Sequence, residues 1–311
     1  MRTYVVAVVL FVSFISCSRR DTEETTTKGH LRVLVSESVA PVVIPEVEEF
    51  MRLYRERGAD VTYSVVRSQE ANRRFVTDTA RMIITTIPLT EEEKAVVNKT
   101  TDQLVEISVA YEGVVAIVPE NNRVDELTLK QVRGILDGSL TTWDQLHRPG
   151  APRGNIRVVL QDSSDIAEYL AHRILAGGEI RTPVRWSHSS LETVNEVAKD
   201  RLSLGFVSSC WVDSAKANTK IVALAADSEF ADTTFKPPQE SIGQYYGPHP
   251  AYVYLNDYPM KRAIYLYART TQGDFATGFA SFVASPAGQK LILAKGLVPG
   301  TQKIVLKPSV Q

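Results

Sequence analysis

From Leu31 onward, short apolar runs alternate with longer amphipathic ones. LRVLV (31–35) predicts a strand, and Ser38 with Pro41 predicts the start of a helix running through EVEEFMRLYRERG. VTYSVV (61–66) reads as the next strand, followed by a polar helix and then the strand MIITT (82–86). In LTEEEKAVVN, Thr90 and Glu93 have the spacing of a capping box. GVVAIVPE (113–120) is strand-like and leads into the amphipathic helix LTLKQVRGIL; IRVVL (156–160) is another strand before a helix. SSLETVNEVAKD (189–200) predicts a helix capped by Ser190, and LGFVSS (204–209) a strand. Residues 226–259 break the rhythm. They are rich in Pro, Gly, Tyr and Asp, lack a helical period, and predict a long surface excursion in which AYVYL alternates like a half-buried strand. AIYLYAR (263–269) then predicts a strand, and FATGFASFVASPAGQKLILAKG one long helix ended by Gly296. Strand-then-helix repetition of this kind is the signature of an α/β fold with largely parallel sheets.

Composition changes the picture mainly by exclusion. The 311 residues suffice for a full core and two lobes, and the formal net charge of −1 offers no basic field for nucleic acid. The five histidines are scattered, and two cysteines make neither a zinc site nor a disulfide framework, so no metal or cofactor is expected. No Gly-x-Ser-x-Gly elbow, His-Glu-x-x-His or P-loop is present, and no spacing selects a Ser–His–Asp triad, so the chain is not read as an enzyme.

The N-terminus carries an address. In MRTYVVAVVLFVSFISC, one arginine precedes an apolar run too short for a permanent span, with the proportions of an export signal over residues 1–16. Cys17 resembles the acylated cysteine of a bacterial lipoprotein, although Phe14 is bulkier than the usual Leu or Val. Residues 17–30 then form a polar, hydroxyl-rich linker that cannot join a core. With Cys17 lipidated, Cys210 has no partner and reads as a buried small hydrophobe.

Three strand-to-helix junctions offer neutral donors that could replace the hydration of an oxyanion. VSESVAP supplies Ser36 and Ser38, TTIPLT supplies Thr85 and Thr86, and QDSSD supplies Ser163 and Ser164. With the neighbouring Glu37 and Gln161, these residues are the candidate ligand-binding set. Each hydroxyl taken alone is equally well explained as a helix cap worth about 1 kcal/mol. Trp143 reads as core packing, and the cluster of Arg181 and Arg185 as a solvated face.

AYEGVVAIVPENNRVDELTLKQVRGILDGSLTTWDQL (110–146) resembles a signature of the phosphate-type periplasmic substrate-binding proteins of bacterial ABC transporters, with Leu127, Thr128, Ile135, Gly138 and Trp143 in the expected places. DRLSLGFVSSCWV, YPMKRAIYLYAR and FASFVASPAGQKLILAKGLVP are similar to three later blocks, so the resemblance spans most of residues 31–300. It implies a two-lobed periplasmic binding protein of the class II type, with two crossover strands and the ligand cleft between the lobes. The expected first lobe is discontinuous, 28–109 plus 259–311, and the second is 110–258, closing on ligand about strands near 106–112 and 258–264. The implied partners are inorganic phosphate or another small oxyanion, an ABC permease, and a membrane through the lipid anchor, with the chain itself a monomer.

The departures bear on the ligand. Glu37 stands where the family has a small residue. Arg81 and Ile87 stand where it often has Asp and Arg, and Ser-Ser-Asp replaces Ser-Gly-Thr at 163–165. No arginine precedes that third loop. A carboxylate ~4 Å from a dianion costs several kcal/mol at intermediate dielectric. Glu37 and Asp165 are therefore expected to point away, with Arg81 supplying the cation. The alternative reading is an exported lipoprotein that keeps the fold but has a degenerate site, serving sensing or protein contacts.

Overall fold

The computed structural model describes residues 24–100, 103–228 and 235–303. The expected export signal, residues 1–16, and Cys17 lie outside the described residues. The elements follow in the order β1 Gly29–Ser36, α1 Ala40–Tyr54, β2 Ala59–Val66, α2 Ser68–Val76, β3 Met82–Thr85, α3 Glu91–Val97 and β4 Gln103–Pro119. Next come β5 Glu126–Thr128, α4 Leu129–Asp137, β6 Arg157–Gln161, α5 Asp165–Arg173, β7 Val184–Ser187, α6 Ser190–Lys199, β8 Ser203–Ser208, α7 Ser209–Ala215 and β9 Thr219–Ala225. The chain ends with β10 Tyr245–Tyr246, α8 Pro250–Leu255, β11 Lys261–Thr270, α9 Phe275–Ala284, α10 Pro286–Ala294 and β12 Val298–Pro299.

The strand order β2-β1-β3-β11-β4-β8-β6-β7 runs through both halves of the molecule. β1, β2 and β3 are parallel, as are β6, β7 and β8. Between these parallel groups, β11 and β4 run antiparallel to their neighbours. β4 is 17 residues long. Its first part pairs with β11, and its second part with β8 and β9, so one strand serves both halves.

Two cores form around this shared strand. In the first lobe Phe50 of α1 sits at the centre of an aromatic cluster, with the rings of Phe275, Phe279 and Phe282 at 5.8, 5.2 and 5.4 Å. The opposite face of the same sheet is covered by Phe75, with Leu34, Ile83 and Tyr267. The second core gathers Leu127, Val132, Ile135, Trp143, Leu160 and Phe206. Trp143 is fully buried, its indole N–H donating to the Leu202 carbonyl at 3.0 Å. The molecule is thus an α/β protein of two lobes.

Local chemistry explains where the elements depart from the pattern. AYVYL is helical, not extended: Pro250 presets the first-turn backbone and the His249 side chain accepts from the Ala251 N–H. The last helical run is broken in two, because Pro286 has no N–H to continue α9 and Ser285 caps the start of α10. β4 begins ten residues before the expected GVVAIVPE, since β11 pairs with the whole of its first half. Two predicted caps move as well. Ser189, not Ser190, caps α6, and α1 starts at Ala40 with no side-chain cap, leaving Ser38 in the turn before it.

Candidate oxyanion site at the lobe boundary

β1 ends at Ser36, β3 at Thr85, and α2 opens at Ser68 immediately after β2. All three are parallel neighbours, so their C-terminal ends lie side by side on one edge of the first lobe, where open α/β sheets bind ligands. The side chains of Ser36, Ser38, Ser68 and Thr86 are buried there and linked: Ser36 Oγ is 3.1 Å from Ser38 Oγ and 2.6 Å from Ser68 Oγ, which is 3.3 Å from Thr86 Oγ1. All four hydroxyls converge on one atom of the other lobe, the Oδ2 of Asp165. Ser38 donates to it at 2.5 Å, Ser68 at 3.2 Å, Ser36 lies at 3.4 Å, and Thr86 is closer still.

The cation comes from the crossover strands. Arg262 at the start of β11 lies directly opposite Glu112 of β4. Its Nε donates to Glu112 Oε1 at 2.7 Å, one Nη to Asp165 Oδ2 at 3.2 Å and to Thr86 Oγ1 at 3.3 Å, and the other to Ser38 Oγ at 3.2 Å. Ser208, closing β8, donates to the second Glu112 oxygen. Burial alone would raise the Asp165 carboxyl. The Arg262 charge and the hydroxyls of Ser38, Thr86 and Ser68 outweigh it and hold Asp165 below the usual carboxylate range. For Glu112 burial wins, and its carboxyl is pushed up despite Arg262 and Ser208. The guanidinium is stabilised by both carboxylates against its own desolvation.

One carboxylate oxygen is a poor match for this donor set. Four hydroxyls and a guanidinium N–H surround an atom with only a few acceptor directions, so part of the hydroxyl capacity is spent on neighbouring hydroxyls. A tetrahedral oxyanion would offer four oxygens to the same donors. Among the described residues, no group of three His, Cys, Asp or Glu side chains could hold a metal.

The candidate residues from the sequence divide into three sets. Ser36, Ser38 and Thr86 belong to the converging cluster. Thr85 is buried beside it, but its hydroxyl accepts from the Ile87 N–H at 3.3 Å. The third loop contributes differently from expectation: Ser164 caps α5 by accepting from the Ala167 N–H at 3.1 Å, and Ser163 is exposed in the left-handed region at φ 49°. The Ser163 hydroxyl bonds the adjacent Asp162 and lines an outer groove of about 930 Å³ with Arg67 and Trp186. Gln161 accepts from Ser190 Oγ at 3.3 Å.

Three expectations about charge are overturned. Asp165 points into the hydroxyl cluster, because its burial is offset there by five donors. Glu37 reaches the other lobe, accepting from the Ser190 N–H at 2.9 Å and hydroxyl at 2.7 Å at the start of α6; burial still leaves its carboxyl raised. Arg81 is not near the site, being held by Glu24 at 2.8 Å and Asp274 at 2.9 Å.

Ser68, Glu112 and Arg262 were not in the candidate set. Ser68 follows a strand and opens a helix, the same signature as the three junctions already selected. Glu112 and Arg262 each interrupt an apolar strand sequence, in AYEGVVAIV and MKRAIYLYA, and a charge in a buried strand needs a partner.

Comparison with known proteins agrees with the architecture. A profile of the PBP superfamily domain matches residues 21–287. A phosphate-binding protein PstS of Staphylococcus saprophyticus is 24% identical over 240 residues, covering 75% of this chain and 72% of that one. A Clostridium perfringens protein crystallised with bound phosphate superimposes with a TM-score of 0.66 at 21% identity, over 87% of this chain and 99% of that one. An ABC-type phosphate transport receptor from Vibrio cholerae gives 0.63 at 21% identity, over 86% and 99%. With the profile spanning most of its length and both lobes in place, the chain belongs to the PBP superfamily.

Proposed function

We propose that this chain is an extracytoplasmic solute-binding protein that captures a small oxyanion, phosphate first, in the cleft between its lobes and delivers it to an ABC transporter. The observation that carries this reading is the convergence of Ser36, Ser38, Ser68, Thr86 and Arg262 on a single buried point. The phosphate-binding relatives described above favour phosphate. The lobes of this reading are 28–109 with 259–311, and 110–258. The chain acts as a monomer, exported by residues 1–16 and anchored by a lipid on Cys17. Among the described residues no helix is long and apolar enough to cross a membrane.

The test is thermal melting and calorimetry of the mature chain with phosphate, sulfate and molybdate at millimolar concentration. An anion at 100 times its dissociation constant adds about 2.7 kcal/mol of stability. Thr86→Ala removes one donor to the charge and should weaken binding by about tenfold or more. No melting shift with any of the three anions would overturn the reading. A second reading, a protein of this fold used for sensing or protein contacts, is favoured by one observation: an acidic side chain of the protein already stands among the donors.

A further inference from the structure

Resting on the oxyanion reading, we infer that Asp165 is a tethered occupant of the oxyanion site: its carboxylate latches the two lobes together when no ligand is bound, and an incoming oxyanion must displace it. Asp165 is the first residue of α5 in the second lobe, whereas Ser36, Ser38, Ser68 and Thr86 all belong to the first. An aspartate that served only its own helix start would face the free N–H groups of α5. That cap is already supplied by Ser164, which leaves the Asp165 side chain to cross the boundary. It is 5% exposed and its charge is met by Arg262 at 3.2 Å. It therefore presents to the first lobe the same chemistry as a bound anion: a desolvated negative oxygen held by hydroxyls and one guanidinium.

A second carboxylate crosses in the opposite direction. Glu37 of the first lobe holds the N–H and hydroxyl of Ser190 at the start of α6. At the rim, Gln69 of α2 donates to Glu168 of α5 at 2.7 Å. The two lobes are thus joined directly at Asp165, at Glu37 and at Gln69. The latch is the step that selects for ligand, because the Asp165 carboxylate and a free oxyanion would compete for one set of donors. If latched molecules are about 99% of the population, the apparent dissociation constant lies about a hundredfold above the intrinsic one.

Asp165→Ser tests this, with Asp165→Asn as the variant that keeps the side-chain volume and an acceptor but removes the charge. Circular dichroism establishes that each is folded. Small-angle scattering is then recorded on protein stripped of anions by unfolding, dialysis and refolding. Wild type should be compact without ligand, Asp165→Ser expanded, and inorganic phosphate should return the variant to the wild-type radius. Calorimetry should show inorganic phosphate binding the Ser variant at least tenfold more tightly than wild type, with the Asn variant between them. An Asp165→Ser radius equal to wild type in the absence of anion would overturn the latch, as would measurable phosphate binding that is equal or weaker in the variant than in wild type. If Asp165→Ser expands but neither protein binds phosphate, the latch stands and the oxyanion reading falls. If Asp165→Ser does not fold, the same two measurements on Asp165→Asn decide the matter, with the same outcomes for and against.

Discussion

Glu46 of α1 is 1% exposed, and neither of its carboxyl oxygens has a hydrogen-bond partner. Burial, with a smaller contribution from Glu49, pushes its carboxyl up to about 8. A raised carboxyl binds its proton more tightly in the folded chain, so folding loses stability as pH rises from the unfolded value towards about 8. Glu46→Gln keeps the shape and cannot ionise. We expect it to be more stable than wild type by roughly 3–5 kcal/mol at pH 8 and by less than about 1 kcal/mol at pH 5. Denaturant titrations at the two pH values measure this, and a difference that does not change with pH would rule the explanation out. Asp165 has the opposite sign: its carboxyl is lowered, so its stabilisation is present above the ordinary aspartate range and disappears as pH falls through its depressed value. One buried carboxylate has five donors and the other has none. Nothing local in EVEEF or SSDIA announces that difference.

At the level of elements, helix starts carry two kinds of hydroxyl that look alike in sequence. Thr90 and Thr128 form capping boxes with Glu93 and Gln131, and Ser164, Ser189 and Ser285 cap by accepting a backbone N–H. Ser36, Ser38 and Ser68 stand at equivalent places but direct their hydroxyls to one another and to Asp165. The distinction makes a measurable contrast. Ser164→Ala should cost about 1 kcal/mol, the usual value of an N-cap, seen as a lower melting temperature in anion-free buffer. An unchanged melting temperature would mean that α5 is held by packing and not by its cap. The capping boxes were legible because both of their partners sit on the same four-residue stretch. The hydroxyl cluster was only half legible, because its members come from β1, the turn before α1, α2, the loop after β3 and β11, and the spatial neighbourhood of those segments is a product of strand order.

For the molecule as a whole, the lobes are separate cores sharing β4, and the proposed anchor, Cys17, belongs to the chain outside the described residues. Acylation needs the thiol. Cys17→Ser should therefore shift the protein from the membrane fraction to the soluble one, or leave it unprocessed, as read by fractionation and intact mass. A mature, membrane-bound Cys17→Ser protein would remove the lipid from the proposal. The α/β character, the order of most strands and helices and the family resemblance were all carried by the sequence itself. They depend on periodicities and motifs that recur within a few residues, as in LRVLV and LTLKQVRGIL. The tertiary structure alone decided that Arg262 and not Arg81 meets the hydroxyl cluster, and that Asp165 points into it. These outcomes rest on which groups meet across distances of 79 to 224 residues. The burial of a charge is settled by whether partners from remote segments can repay its lost hydration, and only the folded chain brings those partners within reach.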